Sequence, residues 1–351
     1  MLLSELDTPA VTIDRDRLEA NIARLQAELD RHGKANRPHI KTHKIPAIAK
    51  MQIEAGAIGI TCQKLGEVET FIDAGVTDDI LLTFNVLGAA KTERLMALSK
   101  RIGRLAVVLD NEVVAQGLSE AARRAGGEVR FLVECDTGMG RNGVQTPQAA
   151  LDLARASMRL PGMRFEGLMT YPNSAQTRDF LDHALPLFKA AGIPVPVVSG
   201  GGTPVVKNLG DFPMTTEHRA GTYVYNDVMM VSAGAATWDN CAMRVRLTVV
   251  SRPTEDRAVL DAGSKVLTSD QYFVKDHGRL VEYPQARITR LSEEHAVVDL
   301  SACTARPRVG EVVNVIPNHC CVVSNMVDEV YGYRADAVDV VWPVAARGQV
   351  R

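Results

Sequence analysis

A lysine flanked by two histidines is the first group in the sequence with clear chemical potential. In the segment RPHIKTHK, residues 37–44, Lys41 lies between His39 and His43 at alternating positions. On an extended strand alternate side chains share a face, so all three would point the same way. Burial and neighbouring positive charge would lower the pKa of such a lysine from its usual value of about 10.4 and make the amine a candidate for Schiff-base chemistry. A solvated basic loop is the alternative.

Two glycine-bearing turns form a second chemical feature. They are VSGGGTP at residues 198–204 and RAGTYVYND at residues 219–227. Backbone amides in such turns can converge on an oxyanion, and glycine lets a phosphate group approach closely. Plain turns are the alternative. A reactive lysine opposite a phosphate site predicts pyridoxal 5'-phosphate, which is held by an imine at one end and by its phosphate at the other.

Several polar residues follow other apolar runs and would line the same site. Arg141, in DTGMGRNG, could reach the polar edge of a pyridine ring and hydrogen-bond the phenolic oxygen or the ring nitrogen. Its alternative role is a salt bridge to Asp136. Gln63, Asn85 and Tyr171 also follow apolar runs.

The segment IPNHCCVVSN, residues 316–325, contains a candidate metal site. His319 and Cys321 are two positions apart, so on an extended strand both would face the same side, with Cys320 pointing away. Imidazole and thiolate together favour zinc, with Mn²⁺ or Mg²⁺ as alternatives, and the other positions would be left to water, substrate or further residues. A buried cysteine beside a structural histidine is the alternative.

The elements that must position these residues follow from the hydrophobic pattern. Short apolar runs alternate with helix-period segments between residues 37 and 217, and eight such runs predict a parallel (β/α)₈ barrel. Active sites in these barrels form at the carboxyl ends of the strands, which is where the polar residues above lie. The predicted strands are 37–42, 58–61, 80–83, 105–109, 129–134, 164–170, 195–199 and 214–217.

The hydrophobic pattern of the sequence changes after about residue 240, where strand-like runs follow one another without long helical segments. Runs such as MRVRLTVVSR and HAVVDLS are separated by proline, glycine and acidic turns, which is typical of an antiparallel β domain. We therefore predict an α/β fold with two domains. The cofactor-binding barrel would cover residues 14–235, and the β domain with the metal site would cover residues 236–351 together with 1–13.

Composition restricts the class of protein. Forty Lys and Arg residues against forty-two Asp and Glu give a formal charge of -2, which disfavours a nucleic-acid binder. No apolar run reaches the length of a membrane span, and acidic residues come too early for a signal peptide, so we expect a chain that begins near Met1. The six scattered cysteines do not suggest a disulfide framework and fit the reducing cytosol.

In combination the motifs resemble a known family. They are similar to the fold-type III pyridoxal phosphate enzymes related to alanine racemase, in the branch that contains D-threonine aldolase and the eukaryotic-type D-serine dehydratase. The resemblance runs from LDTPAVTID at residue 6 to WPVAARG at residue 342. Its specific segments are RPHIKTHK, ITCQKLGEVE, DTGMGRNGV, VSGGGTP, RAGTYVYND and PNHCC.

The resemblance implies roles for individual residues. Lys41 would bind the cofactor covalently and take part in catalysis with Tyr171, which would lie near the ring. His319 and Cys321 would bind a divalent metal. The phosphate would be held by Gly201, Gly202, Gly221 and Thr222. Further cofactor contacts would come from His39, Gln63, Arg141, Ser199, Thr203 and Tyr223.

The implied activity is a metal-assisted lyase reaction on β-hydroxy-D-amino acids, with retro-aldol cleavage to glycine and an aldehyde. Family members often have glycine and histidine soon after the tyrosine, whereas TYPNSAQT has no histidine there. The base for the hydroxyl group is therefore not identified. The second metal ligand is aspartate in the aldolases and cysteine in the dehydratases, so Cys321 favours the alternative of a D-serine or 3-hydroxy-D-aspartate dehydratase.

Two other functions are alternatives. An amino-acid racemase needs bases on both faces of the α-carbon and no metal. A non-catalytic pyridoxal phosphate carrier consists of a single barrel, so the predicted β domain argues against it. The resemblance also implies a head-to-head homodimer in which each β domain closes the partner's barrel mouth.

Overall fold

The computed structural model describes residues 1–351, and the chain divides into two compact units. The barrel unit consists of Leu25–Lys41, Ile48–Gly221 and Gln349–Arg351, and the β unit consists of Met1–Arg24, Thr42–Ala47 and Thr222–Gly348. The predicted boundary at residue 235 differs from this division, which assigns residue 222 onward to the β unit.

The regular elements alternate through the first two thirds of the chain and are mostly strands after it. The strands are β1 (Ala10–Asp14), β2 (Ala35–Asn36), β3 (Ile60–Cys62), β4 (Asp79–Leu82), β5 (Arg104–Leu109), β6 (Val129–Asp136), β7 (Met163–Tyr171), β8 (Val197–Gly200), β9 (Glu217–His218), β10 (Met243–Thr254), β11 (Arg257–Leu260), β12 (Arg279–Leu280), β13 (Arg287–Leu291), β14 (Ala296–Asp299), β15 (Val312–Ile316), β16 (Glu329–Arg334) and β17 (Ala337–Pro343). The α-helices are α1 (Arg15–Arg31), α2 (Pro46–Glu54), α3 (Leu65–Asp73), α4 (Ala89–Ser99), α5 (Glu112–Ala125), α6 (Pro147–Met158), α7 (Ala175–Ala190), α8 (Val228–Ser232), α9 (Ser264–Leu267) and α10 (Cys320–Met326).

The barrel unit contains eight parallel strands in one sheet, in the order β2-β9-β8-β7-β6-β5-β4-β3. A parallel bridge between His39 and Thr61 joins the two ends of this order, and the Thr61 amide donates to the Pro38 carbonyl at 2.8 Å. This contact closes the sheet into a barrel. The prediction of eight parallel strands with intervening helices is confirmed.

The first and last predicted barrel strands differ in detail from the structure. Strand-like pairing continues past β2 as far as His39, whose amide donates to the Ala220 carbonyl at 2.9 Å. A 3-10 turn at Ile40–Thr42 then replaces the predicted strand end. Pro38 has no amide hydrogen and cannot continue a regular ladder. The predicted strand at residues 214–217 is displaced toward its carboxyl end and appears as β9.

Helix termini in the barrel unit follow local sequence signals. Asn111 caps α5 by accepting the Val114 amide at 3.0 Å, and Gly126 ends the helix in the left-handed conformation. Thr146 caps α6, with Pro147 at its first position. These caps fix where each connection leaves a strand and therefore which residues reach the carboxyl edge of the sheet.

The β unit is built on a nine-stranded sheet. Its main path is β13-β14-β11-β10-β1-β16-β17, and β15 pairs with β10 and β12. The pairing is antiparallel except between β1 and β16. Along β10 the side chains of Met243, Val245, Leu247 and Val249 are buried while their neighbours are half-exposed or exposed, which is the period-two pattern of a sheet with one covered face. The predicted antiparallel β domain is confirmed.

Among the helices of this structure, none combines the length and the apolar character needed to cross a membrane.

Candidate active site

Lys41 lies in the 3-10 turn Ile40–Thr42 and is exposed. The prediction that it is a desolvated residue on a strand is therefore wrong. The alternation that would have placed His43 beside it is also interrupted by the turn. His43 is fully buried in the β unit, and its Nδ1 accepts the Ile45 amide at 3.0 Å. Lys41 nevertheless follows β2 at the carboxyl edge of the barrel, the edge at which barrel active sites form.

A hydrogen-bonded chain anchors the residue that precedes this turn. His39 is buried, and its Nε2 lies 3.1 Å from Gln63 Oε1, while Gln63 Nε2 donates to the Thr83 carbonyl at 2.8 Å. Burial, followed by the charge of Lys41, lowers the pKa of His39 well below its usual range. A neutral His39 that donates from Nε2 leaves Nδ1 as an acceptor, and the Lys41 amide lies 3.5 Å from it. The backbone position of Lys41 is thus tied to the sheet.

The glycine turn after β8 is packed against β9. Gly201 has a φ of +85°, and a Cβ there would lie 2.0 Å from His218 Nδ1. Its amide donates to Asn173 Oδ1 at 2.8 Å. At Gly202 a Cβ would lie 3.2 Å from the Tyr171 ring. The turn therefore presents bare backbone at the edge of the barrel next to Thr203, which begins a 3-10 segment.

The surroundings of this turn fit an anionic group. Two buried donors lack hydrogen-bond partners, namely Thr170 Oγ1 and Asn173 Nδ2. A Cβ on Gly200 would lie 3.1 Å from Thr170 Oγ1 and 2.7 Å from Asn173 Oδ1, so both side chains border the turn. Phosphate oxygens accept hydrogen bonds from groups of this kind. Because β2, β9 and β8 are adjacent parallel strands, the turn that bears Lys41 and the glycine turn end at the same edge. This arrangement fits pyridoxal phosphate.

Replacement of Gly201 by alanine should weaken the binding of pyridoxal phosphate by about tenfold or more, because the new methyl group strains a positive φ and collides with His218. Gly192→Ala is a matched control, since Gly192 has a φ of +70° with open space around its Cβ position. Titration of the apoprotein with the cofactor, followed by absorbance, measures both affinities. Equal affinities in the two variants would contradict a phosphate role for the Gly201 turn.

Arg141 lies on a loop that folds back on β6. Its guanidinium carbon lies 5.7 Å from the centroid of the Tyr171 ring. The alternative partner Asp136 accepts the backbone amides of Gly138, Met139 and Gly140 at 3.0–3.1 Å. Arg141 is exposed and close to Tyr171, as a residue that contacts a bound ring would be.

Other predicted cofactor contacts are distributed over both units. Ser199 is buried in the barrel unit, and its Oγ accepts a hydrogen bond from Arg219 at 2.6 Å. Gly221 ends the barrel unit, and Thr222 and the buried Tyr223 begin the β unit in a 3-10 turn. Thr222 Oγ1 lies 3.7 Å from Cys321 Sγ within the β unit.

The candidate metal ligands lie at the start of a helix. The predicted strand ends at Ile316, and His319 is the N-cap of α10, so the expectation of an extended segment is wrong. Pro317 interrupts the ladder, and Asp227 Oδ2 accepts the Cys320 amide at 3.1 Å, which favours the helical turn. His319 and Cys321 still lie close enough for each side chain to shift the pKa of the other.

The donor set fits a soft divalent cation. His319 Nδ1 lies 2.9 Å from Asp270 Oδ2, which leaves Nε2 as the ligand atom, and a carboxylate at the second nitrogen is the usual support of a metal-bound imidazole. The hydrogen bond from Cys320, opposed by burial and aided by His319, lowers the pKa of Cys321 well below its usual range. Burial would lower the pKa of His319, but Cys321 and Asp270 raise it to about 9. Without a metal the pair is therefore a thiolate beside an imidazolium, and a bound cation would displace the imidazolium proton to gain the nitrogen ligand.

No group of three or more His, Cys, Asp or Glu side chains is arranged to hold a metal ion. The pair would therefore leave coordination positions to water or substrate, as in catalytic sites. Cys321 Sγ also lies 3.2 Å from the hydroxyl oxygen of Thr42, the residue that follows Lys41 in the sequence.

Sequence reasoning assigned no role to four residues of these sites. Asp270 supports His319, Asn173 supports Gly201, and the buried Arg219 holds Ser199 and the Thr170 carbonyl. Glu134 is buried beside the Arg141 loop. Only Arg219 and Glu134 carried a signal, since each is a charged residue at the carboxyl end of a barrel strand.

Comparisons with known proteins cover the whole chain. The family described as "Alanine racemase, N-terminal domain" matches residues 13–228, and the one described as "Putative serine dehydratase domain" matches residues 242–333. A D-threonine aldolase of an Arthrobacter species is 34% identical over 365 residues, which cover 99% of this chain and 94% of that protein.

Two solved structures extend the comparison. The crystal structure of D-threonine aldolase from Filomicrobium marinum matches with a TM-score of 0.92 at 32% identity, covering 100% of this chain and 99% of that one. A D-threo-3-hydroxyaspartate dehydratase, solved as a cysteine-to-alanine mutant in the metal-free form, matches with a TM-score of 0.89 at 28% identity over 98% of each chain. The predicted resemblance is confirmed, and the chain belongs to the alanine racemase N-terminal domain family, in the D-threonine aldolase and D-serine dehydratase group of fold-type III pyridoxal phosphate enzymes.

Proposed function

We propose that this protein is a pyridoxal phosphate-dependent, metal-assisted lyase that cleaves β-hydroxy-D-amino acids to glycine and an aldehyde. The observation that carries the proposal is the 3.2 Å contact between Cys321 Sγ and Thr42, which directly follows Lys41. Both residues of this contact belong to the β unit, and Thr42 is joined to Lys41 by the peptide bond. The similarity to D-threonine aldolases over the full length supports the retro-aldol reaction in particular.

The residues have distinct tasks in this proposal. Lys41 would hold the cofactor through its amine and release it when the substrate amine binds, and the glycine turns and Ser199 would hold the phosphate end. When bound, pyridoxal phosphate supplies the electron sink that stabilises negative charge at the α-carbon. A divalent cation on His319 and Cys321 would lower the pKa of the β-hydroxyl group. Loss of that hydroxyl proton would form the aldehyde C=O at the β-carbon as the bond between the α- and β-carbons breaks. The electron pair of that bond would pass to the α-carbon, which then takes up a proton to give glycine.

A dehydratase is the second candidate, and the identity of Cys321 favours it. The family resemblance implies cysteine as the second metal ligand in the dehydratases, and a dehydratase of the same fold was solved as a cysteine-to-alanine mutant in the metal-free form. In that reaction Lys41 would remove the α-proton and the hydroxide would leave with help from the cation. The product then hydrolyses to a 2-oxo acid and ammonia. The same residues would serve either substrate class.

Incubation with D-threonine distinguishes the two reactions. The aldolase should release glycine and acetaldehyde in equal amounts, detected by chromatography and by a coupled alcohol dehydrogenase. The dehydratase should release 2-oxobutanoate and ammonia. L-Threonine is the control, and it should remain unchanged. Production of L-allo-threonine from D-threonine, by inversion at the α-carbon alone, with activity retained after exhaustive chelation, would instead identify a racemase.

The predicted homodimer belongs to the same proposal. Size-exclusion chromatography with light scattering should give twice the mass of one chain. A monomeric mass at micromolar concentration would contradict this part of the proposal.

A further inference from the structure

Glu134 is a buried carboxyl group that the proposed reaction does not use. It lies near the carboxyl end of β6 and is 5% exposed. One of its oxygens, Oε2, is buried and has no hydrogen-bond partner. An unpartnered carboxylate oxygen in the interior is costly, so its presence at the active edge of the barrel calls for a function.

Backbone hydrogen bonds join the Arg141 loop to β6 at Glu134 and Asp136. The Val144 amide donates to the Glu134 carbonyl at 2.9 Å, and the Asp136 amide donates to the Val144 carbonyl at 3.1 Å. Gly143 has a φ of +119°, and a Cβ there would lie 2.3 Å from the Asp136 nitrogen, so the loop lies directly on the strand. Arg141 is therefore held on a short, anchored loop next to the buried carboxyl group.

The charges around Glu134 single out Arg141 as its partner. Burial raises the pKa of Glu134 to about 7; the positive charge of Arg141 is the strongest opposing influence and that of Arg219 a weaker one, while Asp110 and Asp136 add to the rise. Arg219 is committed elsewhere, because it donates to Ser199 and to the Thr170 carbonyl. The exposed guanidinium of Arg141 remains available to respond to the charge of Glu134.

We propose that Glu134 is a positioning residue that, when ionised, holds the Arg141 guanidinium in the orientation in which it meets the cofactor ring. Protonation of Glu134 would release Arg141. Binding of the cofactor would then respond to pH through a residue that does not itself contact the ring. The inference rests on the proposed function, since Arg141 acts there through pyridoxal phosphate.

Affinity for pyridoxal phosphate tests the inference without any turnover. The apoprotein of the full chain is titrated with the cofactor at pH 6.0 and pH 8.5, as wild type, Glu134→Gln, Arg141→Met and the double variant. The wild type should gain about tenfold more affinity between the two pH values than Glu134→Gln does. In the Arg141→Met background, Glu134→Gln should have no further effect. Glu128→Gln, at the exposed residue before β6, is the control and should behave as wild type.

Thermal unfolding separates a functional carboxylate from a structural one. Since the folded-state pKa of Glu134 is raised, its contribution to stability is present at low pH and is lost as pH rises toward about 7. Glu134→Gln removes the cost of ionisation and should raise the Tm by a few degrees at pH 8.5 but not at pH 5.5. Glu134→Asp retains an acid and should restore part of the pH dependence of cofactor affinity. It also covers the case in which the amide variant does not fold.

The outcomes separate this inference from the proposed function. If wild type does not bind pyridoxal phosphate, the proposed function fails. If wild type binds and Glu134→Gln shows the same pH dependence, only the role of Glu134 is overturned. Independent effects of the two substitutions, or a lower Tm of Glu134→Gln at pH 8.5, would also overturn it.

Discussion

Lys41→Ala should abolish turnover and remove an absorbance band near about 410–430 nm that the protein shows after reconstitution with pyridoxal phosphate. The band belongs to a protonated imine, and the amine of Lys41 is the group expected to form it. Turnover should fall by about 10⁴-fold or more, because the variant loses both the covalent attachment and a base. Spectra of wild type and variant at equal cofactor concentration measure the first effect, and product assays measure the second.

Two further variants distinguish covalent attachment from charge. Lys41→Arg keeps a positive charge but should lack the band, because a guanidinium does not form the imine. Lys50→Ala removes an exposed lysine of α2 and should retain both band and activity. After borohydride reduction, peptide mapping should find the cofactor on Lys41 alone. A band that persists in Lys41→Ala would transfer the role to another lysine and refute the assignment.

His319→Ala should greatly reduce turnover without changing the absorbance band, and so distinguish the role of the metal from that of pyridoxal phosphate. The barrel unit contains the lysine turn and the glycine turn after β8, so the absorbance band should remain intact. Turnover should fall by about 10³-fold or more, because a metal ion contributes several kcal/mol of charge stabilisation at an ionising hydroxyl group. Metal content by mass spectrometry and activity after chelation and addition of Zn²⁺ or Mn²⁺ measure the loss.

Asp270→Asn gives a graded version of the same experiment. The amide keeps the shape of the contact with His319 Nδ1 but removes the charge, and such a change should lower metal affinity by about 10- to 100-fold. Excess metal should then restore activity to Asp270→Asn but not to His319→Ala. His295→Ala, an exposed histidine of the β unit, is the control. Full activity of His319→Ala in metal-free buffer would remove the metal from the proposed reaction.

Lys41 lies in an exposed position of a 3-10 turn and not on a buried strand. From the sequence we expected an amine made reactive by burial, whereas Lys41 is exposed and its neighbours His39, Ile40 and Thr42 are buried. The backbone of Lys41 is therefore anchored through His39 and Gln63. An exposed amine at the carboxyl edge can reach both a cofactor carbonyl and a substrate.

Local patterns in the sequence predicted the architecture and the candidate residues of the site. Alternation of apolar runs with helical periods identified the barrel strands, because periods of 2.0 and 3.6 residues are local properties that need no tertiary information. Glycine turns after β8 and β9 were equally visible, since a positive φ such as that of Gly201 demands glycine wherever it occurs. Spacing made His319 and Cys321 a candidate pair, and the family resemblance implied their role in binding a metal.

Tertiary contacts set the place where the chain leaves β2 and bring distant residues to the site, and the sequence pattern did not predict either feature. Lys41 leaves its strand because pairing along β2 ends at His39, and a two-residue strand has too few local contacts to signal its own end. Asp270, which contacts His319, lies 49 residues from it in the sequence. The pKa of Glu134 depends on its burial and on the charges of Arg141 and Arg219, which lie on other segments. Contacts and charges of this kind depend on the folded path of the backbone, so no period or motif in the sequence encodes them.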